Sequence, residues 1–368
     1  MNPKPRIAVL FGGRSPEHWI SVKSGLFVLL FLDRSRFDVD AVYVRPDGGF
    51  GSADEFRTVV DRFFAENRVV LFGPSDGFAD PMGLLRSAAS DRSLRFVTAA
   101  SGGAWDFLFP VFHGRFGEDG TVQGLAEALR LPYAGCDFRG SALGMDKILT
   151  KQIVARAGLA IAPYREVHRD EWQRDKAGWL ERLPAALGWP LFVKPARLGS
   201  SIGVGRALDA TGLARALEEA SDYDYRVLVE SEIRGTEYAV GVLGDGKTCR
   251  TSVIAEYTSA PEAFDYDTKY GSQALPDIIP ANLDEGRTRQ MLTFAQDVFQ
   301  ALGMRGICRV DSFWGPSGPV LNEVNTMPGL NPGSPFIQAW GKAGVDVRTL
   351  LTQIVELGFQ GPWASSES

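Results

Sequence analysis

An apolar run that passes directly into a glycine turn and a helix start constrains this chain more than any other feature. Residues 6–11 read as a buried strand and Gly12-Gly13-Arg14-Ser15-Pro16-Glu17 as the turn. Ser15 suits an N-cap and Pro16 the first helical position. Strand, glycine turn and helix in this order build doubly wound α/β units, which place ligands beyond the C-terminal ends of their strands. The turn lacks the GxGxxG spacing, so it does not imply a dinucleotide. A second strand is expected over 107–112, running into His113-Gly114-Arg115-Phe116-Gly117-Glu118-Asp119-Gly120, with a helix from Thr121.

At 368 residues the chain exceeds what one core usually supports, so two or three packed domains are expected. A net charge of −6 argues against a general affinity for nucleic acid, and any phosphate binding must be local. Cys136, Cys249 and Cys308 are odd in number and widely spaced, which offers neither a disulfide framework nor a CxxC metal site and points to a reducing cytoplasm. The longest apolar run, 26–32, falls far short of the roughly 20 residues that span a bilayer. It reads as a core helix, and no export signal or membrane association is expected.

Residues 45–104 are rich in Gly/Pro turns around a short helix or strand. Helical periodicity marks 141–157 and 209–220, with a strand at 191–194 between them. Beyond a boundary near Leu228-Val229-Glu230 the pattern turns strand-rich, at 237–243, 249–257, 307–313 and 320–325, giving an α+β C-terminal part. The tail from 361 is mostly polar.

Two segments carry chemistry. In Arg309-Val310-Asp311 and Asn322-Glu323-Val324-Asn325, residues two apart share a strand face, so neighbouring strands would converge Asp311, Glu323 and Asn325. Such hard oxygen donors suit Mg²⁺ that also holds nucleotide phosphates, although the spacing alone equally allows an ordinary surface hairpin. In Val193-Lys194-Pro195-Ala196-Arg197-Leu198-Gly199-Ser200-Ser201-Ile202-Gly203, a strand lysine precedes a glycine-serine loop whose backbone N–H groups can approach phosphate oxygens. A plain Gly/Ser hairpin is the alternative. It is not a Walker A loop, whose lysine follows the glycines.

In order and content these motifs resemble the D-alanine:D-alanine ligase family of ATP-grasp enzymes. The matching stretches are 11–17, 109–124, Tyr133-Ala134-Gly135, Met145-Asp146-Lys147, 193–203, 228–237, 265–270 and 306–329, leaving 45–104 and the extreme C-terminus unmatched. The resemblance implies an ATP-grasp architecture: a Rossmann-like domain over 1–140, a central ATP-grasp subdomain over 141–229, and a C-terminal ATP-grasp domain over 230–368 with a lid loop at 257–271. It implies an ATP-dependent, ADP-forming ligase that joins two D-alanine molecules through an acyl phosphate for peptidoglycan synthesis, and a homodimer.

By the same resemblance Lys147, Lys194 and Ser201 meet the phosphates of ATP, Glu230 and Ile233 the adenine, Glu237 the ribose, and Lys269 the γ-phosphate. Asp311, Glu323 and Asn325 match ligands of two Mg²⁺ ions, with Mn²⁺ as a substitute. Glu17 matches the acid that holds the first substrate's ammonium group, in a hydrogen-bonded trio with Ser200 and Tyr270, and His113 stands beside the same pocket. Arg309 and the N–H of Gly329 would form the oxyanion site, and Ser334 would bind the second carboxylate. Trp19, Gly333 and Pro335 depart from the family pattern. Two readings of them stay open, drift absorbed by local repacking or a different second amino or hydroxy acid. A third reading of the chain, an ATP-binding regulatory protein without turnover, sits badly with so complete a set.

Overall fold

The computed structural model describes residues 3–66, 81–89, 103–258 and 277–361. Three sheets organise it. The first is parallel, with β1 (Arg6–Gly12) between β2 (Asp38–Val44) and β3 (Phe107–Pro110). Ile7, Val9 and Phe11 point to one face, against the helix His18–Phe31, while Ala8 and Leu10 meet Trp105, Leu108 and Val122 on the other. A strand covered on both faces is what a near-continuous apolar run dictates. The chain leaves β1 through Gly12 at φ +94°, where an added Cβ would lie 2.2 Å from the Val44 carbonyl oxygen. Only glycine allows that approach.

The second sheet is antiparallel, with β4 (Tyr164–His168), β5 (Leu191–Pro195), β6 (Gly205–Ala207) and β7 (Arg226–Ser231) in the order β4-β7-β5-β6. Val193, Val227 and Val229 face a core built with the helix Ala210–Tyr223, so by strand alternation Lys194, Leu228 and Glu230 face the other way. The third sheet is also antiparallel, with β8 (Glu237–Gly244), β9 (Cys249–Glu256), β10 (Gly306–Gly315) and β11 (Gly318–Asn325) in the order β11-β10-β8-β9. The helix Glu285–Ala301 covers its Val240, Cys308 and Val310 face, which leaves Arg309 and Asp311 on the opposite one. The polar faces of the second and third sheets meet, since the Lys194 ammonium donates to the Asn322 amide oxygen at 3.0 Å.

Several expectations need correction. The first helix begins at His18, not at Pro16: Ser15 accepts the Glu17 N–H at 3.1 Å and the His18 N–H at 3.0 Å, forming a lead-in turn instead of the cap itself. β3 ends at Pro110, not at 112. The helical stretch 141–157 is two helices, Phe138–Met145 and Lys147–Arg156, broken at Asp146. β7 runs to Ser231, so a boundary at 229 would cut an inner strand. The turn-rich 45–104 stretch holds the helices Ala53–Glu66 and Pro81–Ser87. Finally, the helix Val347–Phe359 returns to the first core, where Leu350, Leu351, Ile354 and Val355 share one buried cluster with Ile7, Val9 and Phe11.

Candidate active site

The site lies where the two antiparallel sheets face each other and the end of β1 comes alongside. On β10 and β11 the register sets Arg309 opposite Asn325 and Asp311 opposite Glu323. Both Asp311 oxygens accept from Arg309, at 2.7 and 2.6 Å, and Asp311 is fully buried. The Lys147 ammonium lies 3.1 Å from the Glu323 carboxylate and donates to the Leu198 carbonyl at 2.8 Å. That second bond ties the glycine-serine loop to the acidic pair. Asp146 explains where Lys147 sits: its carboxylate caps the following helix by accepting from Ile148 and Leu149 N–H at 3.0 Å, which makes Lys147 the first helical residue.

The register slips between Asp311 and Ser312, so β11 carries a bulge at Asn322. In a regular strand Asn322 and Glu323 would point to opposite faces. The bulge re-aims them, and both reach lysines. Asn322 accepts from Lys194 and donates to the Glu237 carboxylate at 2.6 Å. Behind Lys194, Glu230 is 4% exposed, with its carboxylate 2.6 Å from the Lys194 ammonium and 2.8 Å from that of Lys151. Burial alone would raise the Glu230 pKa, but the two lysines hold it down to about 2. Ile233 lies half-buried on the connection from β7 to β8.

At the N-terminal side the Ser200 hydroxyl donates to the Glu17 carboxylate, joining the loop after β5 to the turn after β1. Ser200 and Ser201 both hold left-handed backbone, φ +53° and +58°. Non-glycine residues there cost about 1–3 kcal/mol each and persist where surrounding bonds impose them. The bond to Glu17 is one such constraint. Burial raises the Glu17 pKa, the neighbouring Glu118 charge raises it further, and His113, then Ser200, pull it back. Burial would lower the pKa of His113, but Glu118, 3.6 Å away, and then Glu17 lift it above the ordinary value. Beside this group opens a cleft of about 330 Å³ lined by Gly13, Arg14, Ser15, Phe112, His113 and Arg115.

Ser334 caps the helix Pro335–Lys342, accepting the Ile337 N–H at 3.2 Å while its hydroxyl donates to the Gly329 carbonyl. A carboxylate has only acceptors to offer, so the Ser334 proton must leave Gly329 to bind one. Pro335 is at a position where proline is favoured, with its φ pre-set for the helix. Trp19 points outward, 45% exposed, under the Arg62 guanidinium at 4.5 Å. These placements favour local accommodation at Trp19 and Pro335. Lys269 and Tyr270 lie outside the described residues, as does most of the 257–271 loop.

Sequence reasoning missed Lys151, Asn322 and Glu118. Lys151 could have been found, because it lies one helical turn after Lys147 and shares its face. The Asn322 bulge left no trace in the pattern of residue types.

The family described as D-ala D-ala ligase C-terminus matches residues 153–356, and that described as D-ala D-ala ligase N-terminus matches 6–136. The chain belongs to the D-alanine–D-alanine ligase family. Family members from Geobacillus thermodenitrificans and Streptomyces coelicolor, each a D-alanine–D-alanine ligase, are 37% identical over 97% of this chain and 96% and 94% of their own. Among solved structures, the VanG D-Ala:D-Ser ligase of Enterococcus faecalis superimposes with a TM-score of 0.77 at 28% identity, covering 97% of this chain and 100% of that one. The D-alanine–D-alanine ligase of Coxiella burnetii gives 0.74 at 28%, covering 96% and 94%. The expected α/β architecture of the ATP-grasp ligases therefore stands.

Proposed function

We propose that this chain joins two D-alanine molecules into D-alanyl-D-alanine with ATP as the energy source, as a cytoplasmic step of peptidoglycan precursor synthesis. The observation that carries this reading is the meeting of Lys147, Lys194, Arg309, Asp311 and Glu323 within reach of the Glu17–Ser200 pair. A phosphate-handling end and an ammonium-handling end adjoin.

The donor set fits a divalent cation: Asp311, Glu323 and Asn325 offer hard oxygens, and the two carboxylates already draw the cations Arg309 and Lys147. Among the described residues no group of three His, Cys, Asp or Glu side chains is placed to hold a metal ion, and by resemblance the third donor is the Asn325 amide oxygen. Bound there, Mg²⁺ would neutralise charge on the phosphates during transfer. Lys147, Lys194 and the backbone at Ser201 hold the phosphates, and Glu237 the ribose. Because the Glu230 carboxylate is engaged with two lysines, what Glu230 and Ile233 offer the adenine is main chain. Glu17 holds the first ammonium group, with Ser200 and His113 setting its charge. Arg309 and the Gly329 N–H stabilise the developing oxyanion, and Ser334 at a helix N-terminus takes the second carboxylate.

By resemblance the reading includes Lys269 and Tyr270 completing the site from a lid, three domains with the second boundary moved past Ser231, a homodimer and two metal ions. The acyl phosphate needs a site closed to water. Among the described residues no helix is long and apolar enough to cross a membrane. The similarity to a D-Ala:D-Ser ligase keeps a different second substrate as the competing reading. Both are tested by phosphate release from ATP across D- and L-amino acids and D-hydroxy acids, with product masses. D-alanine alone is expected to give rapid release and the homodipeptide; release only with a second compound present supports the competing reading, and no release with any of them overturns both.

A further inference from the structure

Lys151 is 1% exposed, so it can touch neither solvent nor a ligand in the cleft. Its ammonium lies 2.8 Å from one Glu230 oxygen, and the Lys194 ammonium lies 2.6 Å from the other. Lys194 is the member of this buried line that faces the site, through Asn322 and toward Glu323. A buried ammonium is retained only against a strong opposing cost of desolvation, and here burial does lower the Lys151 pKa. Packing alone would be served as well by a methionine of similar length.

Counting charges shows what the lysine adds. With Lys151 present, two ammoniums share one carboxylate and the line carries a net single positive charge. Without it, Lys194 and Glu230 form a closed neutral pair, and the Lys194 ammonium is drawn back toward Glu230. We propose that Lys151 is a positioning residue for nucleotide binding: it compensates the Glu230 charge from behind, so that the Lys194 charge stays available to the phosphates. This rests on the assignment of the site to ATP.

The test measures MgADP and adenosine binding by titration calorimetry in wild-type protein, Lys151→Met, and Lys151→Met combined with Glu230→Gln. Lys151→Met is expected to weaken MgADP by about tenfold or more, the scale of one unit charge lost on the order of 10 Å from a phosphate at an effective dielectric constant of about 20. Adenosine, which has no phosphate, is expected to bind unchanged, and in turnover the KM for ATP rises while the KM for D-alanine does not. The double variant restores the net charge to Lys194 and is expected to recover most of the MgADP affinity. Equal loss for MgADP and adenosine would show a purely structural lysine and overturn the proposal, as would an unimpaired single variant or a double variant no better than the single. If Lys151→Met does not fold, Lys151→Gln takes its place; if that fails as well, the double variant decides by matching wild type or falling short. Wild-type protein that binds no MgADP would instead sink the assignment of the site.

Discussion

Glu17 is an acid whose environment works against its own charge. It is 9% exposed and faces Glu118, and the Ser200 hydroxyl and His113 favour its ionised form. If Glu17 holds the first ammonium group as proposed, it must be ionised, so recognition is complete above its raised pKa and is lost as pH falls through it. The acid limb of kcat/KM for the first D-alanine is therefore expected above the ordinary carboxylate range. Ser200→Ala removes a bond that favours the charged form, so it is expected to move that limb to still higher pH, while the second-substrate profile keeps its shape. A limb that stays in place or moves downward in Ser200→Ala would show that Glu17 is not the titrating group.

At the scale of elements, the break at Asp146 converts one apparent helix into two and fixes Lys147 as a first-turn residue. Asp146 is 4% exposed, caps two N–H groups and pairs with Arg226 at 2.5 Å. Asp146→Ala removes both the cap and the pair and is expected to lower stability by about 2–4 kcal/mol in urea unfolding. Asp146→Asn keeps a cap while losing the charge and is expected to lose less; equal losses would remove the cap from the account. The Met145-Asp146-Lys147 motif was legible as a motif, but not as a break, because the apolar period runs on either side of it. The facing of Arg309 and Asp311 with Asn325 and Glu323 was legible, since period-two alternation needs only an ordinary antiparallel pair, and the register agrees. β4 was not legible: it is an edge strand with only Val167 fully buried, so it carries no apolar signal. Nor could local pattern reveal that Val347–Phe359 packs against the helix His18–Phe31, since that contact joins opposite ends of the chain.

Across the whole molecule, β10, which carries Arg309 and Asp311, begins by pressing against the segment that follows the first sheet. The Asp137 N–H donates to the Arg305 carbonyl at 2.9 Å, and the Arg305 guanidinium donates to the Asp245 and Leu357 carbonyls at 2.7 Å. Farther along the chain, the Thr326 hydroxyl donates to the Glu118 carbonyl at 2.8 Å, beside His113. Between these bonds, Gly306 at φ +95° would place a Cβ 1.8 Å from the Gly135 carbonyl oxygen. No side-chain adjustment relieves a clash between backbones, so either the β10 start or the Gly135 turn must move. Gly344 supplies the control, because it also has positive φ, at +85°, but an added Cβ there meets nothing within 4 Å. Gly344→Ala is expected to cost only the left-handed backbone strain, about 1–2 kcal/mol. Gly306→Ala adds the clash and is expected to lose about 3 kcal/mol or more. Because Arg309 and Asp311 follow on the same strand, it is also expected to reduce kcat in whatever fraction remains folded, which Gly344→Ala is not. Urea midpoints and turnover per folded molecule, measured side by side, check both statements. Equal losses in the two variants would mean that the close approach of Gly306 to Gly135 does not hold β10 against the N-terminal part.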